Sequence, residues 1–156
     1  MNNIKDYITE KFKLSSKNIN NINKYNYHPQ NNKELKQLVD QLIKERGLDA
    51  DLNDIDTSKI DDMGRLFYKS EFNGDISQWD VSNVKNMFAM FLCSKFNGDI
   101  SNWDIRNLAY SNNMFRNSEF NRKEDLEKWN TNKLQYMTNM FKSSPLEKNP
   151  PSWYHE

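Results

Sequence analysis

The chain is poor in the residues that usually announce chemistry: one cysteine, two histidines, four glycines and four prolines in 156 residues. The lone Cys93 excludes an internal disulfide framework. His28 and His155 fall outside the patterned part of the sequence, so no Ser/His/Asp set is legible within it. So few glycines leave no phosphate-cradling loop. No apolar run approaches the length of a membrane span. The first residues, MNNIKDYITEKF, show neither the apolar core of a signal peptide nor a lipobox cysteine, so a cytoplasmic location is expected. Hydrophobic residues are lean at 36%, yet aromatics are generous at 13%, which suits a narrow coil closed by a few large side chains.

Charge sums to zero but is unevenly spread. Residues 1–47 hold nine basic against five acidic side chains, and residues 48–121 hold seven against twelve. An acidic body speaks against nucleic-acid binding there, which needs a basic stripe.

What is present is repetition. Residues 72–94 read FNGDISQWDVSNVKNMFAMFLCS, and from Phe96 the chain reads FNGDISNWDIRNLAYSNNMFRNS. Trp79, Trp103, Trp129 and Trp153 share a column, with Ile55 as its degenerate first member. Phe67, Phe91, Phe115 and Phe141 form another, and Ser70, Ser94, Ser118 and Ser144 a third. A fixed period in the twenties marks units that cannot bury their apolar side alone and must stack. The serine column is read as a small residue at a tight corner, its hydroxyl bonded to nearby backbone.

Ile76, Trp79 and Val81 have the spacing Leu-x-x-Leu-x-Leu, which predicts a short parallel strand at 78–81 pairing with 102–105. Val84, Met87, Met90 and Phe91 predict the apolar side of a short helix, with Ser58, Ser82 and Asn132 as N-caps. Asn73-Gly74 and Asn97-Gly98 predict turns that use positive φ. The third copy replaces Gly98-Asp99-Ile100 by Arg122-Lys123-Glu124-Asp125-Leu126, so its turn should bulge. Ser111 in place of Met87 suggests a loosened second helix.

The phrase Phe-Asn-x-Asp-Ile-Ser-x-Trp-Asp-Val-Ser-Asn-Val-x-Asn-Met-x-x-Met-Phe resembles the repeat of BspA-like leucine-rich-repeat proteins. These are bacterial surface proteins and mycoplasmal lipoproteins. The resemblance is specific over 72–115, weaker over 50–71 and 116–154, and does not reach the first 47 residues. It implies a parallel-stranded solenoid that binds proteins and adheres, with no catalytic motif to carry over. The expected fold is therefore an α/β repeat solenoid of about four coils with short parallel strands and short helices over 48–156, closed by an N-terminal helical cap.

Before the repeats, residues 1–14 place Ile4, Tyr7, Ile8 and Phe12 at helical spacing. This amphipathic appendage docks on its own domain, serves as a detachable docking peptide, or lies on a membrane surface. Residues 15–31 read as a polar linker, with Tyr25 and Tyr27 as pins and His28 as a solvated loop residue. Residues 32–47 read as the capping helix: Leu35, Leu38, Val39, Leu42 and Ile43 form a stripe, Asn31 or Asn32 caps it, and Gly47 ends it. At the far end 150–154, PPSWY, should close the stack.

The strand face carries a second column, Asp56, Asp80, Asp104 and Asn130, flanked by Gln78, Asn102 and Lys128. Three uses stand open for it. Each carboxylate accepts bonds from the backbone of the following turn, or the column forms an acidic strip for a basic partner, or it holds a cation. Asp75 and Asp99 read as turn formers. Phe88, Tyr68, Tyr110 and Tyr136 border the other side, as exposed candidates or as packing between coils. The expected function is non-catalytic protein–protein interaction through the strand face and rims, with no cofactor. The alternative is an intracellular effector or inhibitor, encoded by a phage or mobile element, that occludes a larger host machine such as a defence nuclease.

Overall fold

The computed structural model describes residues 24–155. The appendage expected at 1–14, and the linker before residue 24, lie outside the described residues. Helix α1, Asn32–Arg46, forms where the apolar stripe predicts it, burying Leu35, Leu38, Val39 and Leu42. Asn31 caps it by accepting from the Glu34 N–H, and Gly47, at φ 100°, donates its N–H to the Ile43 carbonyl. Asn32 has a different task. Its Nδ2 donates to the carbonyls of Asp62 and Gly64, at 3.1 and 3.3 Å. In the next unit the matching carbonyls, of Asn86 and Phe88, accept from the N–H groups of Met63 and Arg65. Asn32 thus satisfies acceptors that have no earlier unit to serve them.

The units stack as the columns require. Phe67, Phe91, Phe115 and Phe141 lie ring over ring at 5.5, 5.4 and 5.8 Å. A second file, Phe72, Phe96 and Phe120, is spaced 6.3 and 6.4 Å. The files interlock, with Phe91 to Phe96 at 4.6 Å and Phe115 to Phe120 at 4.4 Å. Each such pair adds about 0.5–1.5 kcal/mol beyond its buried area. Trp79, Trp103 and Trp129 are buried and Trp153 is partly exposed, and their indole N–H groups donate one unit back: Trp79 to Leu52, Trp103 to Ile76, Trp129 to Ile100 and Trp153 to Leu126, at 3.0, 3.2, 3.5 and 2.8 Å. The serine column turns corners as expected. Ser94 and Ser118 accept from the N–H two residues on, and Ser118 and Ser144 donate to the carbonyl three residues back.

An α/β solenoid with short parallel strands and short helices is not what forms. Among the described residues the helices are α1 and a five-residue α2, Lys123–Glu127. Pairing is confined to isolated parallel bridges: Tyr27 with Ile55, Asp51 with Asp75, and the series Asp62, Asn86, Tyr110 and Tyr136. No sheet results. At 78–81 the alternation is real, since Trp79 and Val81 are buried and Asp80 is exposed. Yet the backbone there is curled, with Trp79 N–H bonded to Ile76 and Val84 N–H to Val81. Side chains join the units at this corner instead: Thr57 Oγ1 donates to the Asp80 carbonyl at 2.9 Å, and Asn83 and Asn107 donate to the Ser58 and Ser82 carbonyls at 2.7 Å.

The expected helix fails for a related reason. An α-helix needs every N–H to reach four residues back. Here Met90, Leu92 and Ser94 reach three back, while Met87, Ala89, Phe91 and Cys93 donate to Tyr110, Asn112, Met114 and Arg116 of the next unit. Ala89 and Cys93 also sit at φ 53° and 59°, which aims alternate amides outward. A chain of three-residue turns produces apolar spacing that resembles a helical face. Ser58, Ser82 and Asn132 therefore cap no helix. Ser111 is buried in no helix either, and its hydroxyl donates to the Tyr136 carbonyl at 3.3 Å.

The glycines also serve another purpose than expected. Among the described residues Gly47 is the glycine at positive φ. Gly74 is needed because a Cβ there would lie 2.1 Å from the Ala50 carbonyl oxygen. In the third copy the inserted residues fold as α2, and the buried Asp125 carboxylate accepts from Ile100 N–H and Arg122 Nε. At the far end Trp153 lies 6.3 Å from Trp129, and Tyr154 meets Phe141 edge-on at 4.9 Å.

Candidate partner-binding face

The acidic column is built, but its carboxylates are engaged. Asp56 Oδ1 accepts from Ser58 N–H and Oγ at 3.1 and 2.6 Å, and Asp80 Oδ1 from Ser82 at 3.0 and 2.6 Å. Asp104 Oδ1 takes Arg106 N–H at 3.2 Å, and Asn130 Oδ1 takes Asn132 N–H at 3.2 Å. Asp75 and Asp99 form the same kind of turn with Ser77 and Ser101. The column is not an even strip. Its first rung is covered by His28, whose Nδ1 lies 3.1 Å from Asp56 Oδ2. Its third is neutralised by Arg106, whose Nη2 lies 2.7 Å from Asp104 Oδ2. Its last is an amide. Gln78, Asn102 and Lys128 are exposed, and Gln78 lines a depression with Lys24, Arg46 and Asp51.

His28 is not the solvated residue expected. The bridge of Tyr27 to Ile55 seats it on the first unit, half-buried and edge-on to Tyr25. Burial pushes the Asp56 carboxyl up, but bonds from Ser58 and His28 outweigh this and hold it below the usual aspartate range. Asp54 is likewise raised by burial and then lowered further by Arg46, which bonds both its oxygens at 2.9 Å while lying over Tyr27. Arg106 lowers Asp104, through its hydrogen bond first.

The edge that carries Tyr110 and Tyr136 is different. Tyr110 and Tyr136 occupy successive rungs of the bridge series and stack at 4.7 Å, 2° from parallel, each 47% exposed. Two large aromatic rings held rigidly in solvent are costly to leave uncovered. Beside Tyr110 opens a groove of about 470 Å³, lined by Asp61, Lys85, Phe88 and Asn112 among others. Tyr68 is 41% exposed with Lys69 over its ring, and Arg65 lies over Phe88 at 5.2 Å. The sequence offered the tyrosines as border residues without deciding between exposure and packing. It gave no sign of the groove.

Among the described residues, no helix is long and apolar enough to cross a membrane, and no three His, Cys, Asp or Glu side chains converge as a metal site requires. No curated protein and no solved structure matches the chain. One family model does match, over residues 33–153, and the chain accordingly belongs to the family described as "Mycoplasma protein of unknown function, DUF285".

Proposed function

We propose that this chain is a non-catalytic recognition module that binds a protein partner through the edge carrying Tyr110 and Tyr136. The observation that carries the reading is the pair itself: stacked, coplanar and half exposed, on backbone fixed by parallel bridges. Tyrosine supplies large contact area at small entropic cost, which is why it anchors interfaces. The resemblance of the repeat phrase to BspA-like proteins points the same way, toward binding. The acidic column contributes at most Asp80 and its exposed neighbours, because the other rungs are covered or neutralised within the chain.

The test is capture of a partner by the wild-type chain, by Tyr110→Ser/Tyr136→Ser and by Asp80→Asn, with melting curves showing that each is folded. Loss of capture in the double variant and retention in Asp80→Asn is expected. Equal capture by all three refutes the assignment to this edge.

A further inference from the structure

We propose that the groove beside Tyr110 receives a tryptophan or tyrosine side chain of the partner, which stacks on Tyr110 as the next rung of the ladder. The inference rests on the reading of this edge as protein-binding, and adds the chemistry of the guest. Asp62, Asn86, Tyr110 and Tyr136 share one register through successive bridges. The last two rungs carry rings. The first two are short and drawn back onto the backbone: Asn86 Oδ1 accepts from Phe88 N–H at 2.9 Å, Asn86 Nδ2 donates to Asp62 Oδ2 at 3.0 Å, and Asp62 Oδ1 accepts from Gly64 N–H at 2.7 Å. The vacated space is the groove of about 470 Å³. Tyr136 covers one face of Tyr110, and the Tyr110 ring also lines the groove.

Charge selects the guest. Asp61 and Asp62 face Lys85 in the groove, and Arg65 lies over its Phe88 wall, so the local charges cancel. Neither a cation nor an anion gains from the net field. Both Asp62 oxygens already accept bonds from within the chain, so that carboxylate is not left without donors. A flat uncharged ring needs no counter-charge. Its polar tip finds partners at the rim: the Asp61 carboxylate, the Lys85 ammonium, and Asn112 Nδ2, whose amide oxygen is held by Thr138 N–H at 3.1 Å. Indole and phenol each carry one polar handle on a ring, which matches this lining.

The experiment is selection from a random peptide display library on the immobilised full chain, followed by affinity measurement against Tyr110→Ser and Asn86→Tyr. The second variant fills the empty rung with the residue that the same register holds in the next two units, so the backbone accepts it. Expected are peptides sharing a Trp or Tyr that bind both variants at least about tenfold more weakly. Changing that peptide residue to Leu should cost the same factor on the unaltered protein, which needs no variant to fold. Peptides that require arginine, or that share no aromatic and bind Asn86→Tyr as tightly as wild type, overturn the guest assignment and leave the protein-binding edge standing. No enriched peptide that depends on Tyr110 or Tyr136, with neutral oligosaccharides binding a glycan array in a Tyr110-dependent manner, overturns both.

Discussion

Gly74 and Gly98 sit in the same phrase, Phe-Asn-Gly-Asp-Ile-Ser, yet the structure predicts different tolerance. An alanine Cβ at Gly74 would lie 2.1 Å from the Ala50 carbonyl oxygen, 2.8 Å from the Ala50 nitrogen and 2.6 Å from the Phe72 ring. The oxygen cannot withdraw freely, because it accepts the Asp75 N–H at 3.0 Å in the bridge between units. At Gly98 the nearest atoms are Phe96 ring carbons at 2.7 and 2.8 Å, and the nearest backbone oxygen is 3.2 Å away. Overpacking costs about 1–3 kcal/mol when side chains can adjust. Gly74→Ala should therefore cost about 3 kcal/mol or more, and Gly98→Ala about 1–2 kcal/mol. In a chain of this size, about 3 kcal/mol lowers Tm by roughly 6–12 °C. Thermal and urea unfolding followed by circular dichroism would read both. Gly74→Asn separates the causes. If the site needed positive φ, asparagine would be tolerated; if it needs close approach, asparagine is as damaging as alanine. A Gly74→Asn chain within about 0.5 kcal/mol of wild type, or a larger loss at Gly98 than at Gly74, refutes the argument.

Three more expectations concern stability. Trp103→Phe removes one of the two donors to the Ile76 carbonyl, which keeps the Trp79 N–H, and also removes part of a packed ring system, so urea unfolding should show a loss of about 1–3 kcal/mol, with less at the part-exposed Trp153. Asn32→Ala uncovers the Asp62 and Gly64 carbonyls and should cost about 1–2 kcal/mol by the same assay, with α1 still capped by Asn31. Asp54 and Asp56 are held below the ordinary aspartate value when folded, so the unfolded chain takes up protons first. Their contribution is present in full above about pH 4 and lost as pH falls below it, and the urea midpoint should drop accordingly. Asp56→Asn should flatten that drop; an unchanged acid slope in both Asp54→Asn and Asp56→Asn would show that the two carboxyls are not its source.

Much of the packing was legible because period alone reports it. The Phe, Trp and Ser columns needed only counting, and α1 was marked at both ends by Asn31 and Gly47. Local backbone conformation was not legible in the same way. Three-residue turns place Val84, Met87 and Met90 inward at a spacing close to a helix, and inward Trp79 and Val81 around outward Asp80 mimic a strand. The deciding feature is positive φ at two positions in each unit: Arg65 and Lys69, Ala89 and Cys93, Asn113 and Asn117, Asn139 and Ser143. Asparagine signals that conformation. Arginine, lysine, alanine and cysteine do not, so the first two units concealed it. The groove was hidden for another reason, since it exists only because Asn86 and Asp62 bond each other and their own backbone.

The location of the tyrosines follows from how the units are joined. In a continuous sheet, a slip of one residue carries every side chain to the wrong face. Here the corner near Trp79, Trp103 and Trp129 is tied by indole, threonine and asparagine side chains. Such ties tolerate a change of loop length. The third copy shows this: α2 absorbs its extra residues while Phe115 and Phe141 keep their 5.8 Å stack. The edge at Asp62, Asn86, Tyr110 and Tyr136 is joined instead by backbone bridges, which fix position without specifying the outward side chain. That edge combines constant backbone with free choice of residue, and the chain has put Asp, Asn, Tyr and Tyr there in succession. An interface selected for one partner would be written on this edge first, because changing it disturbs neither the aromatic files nor the corners that hold the units together.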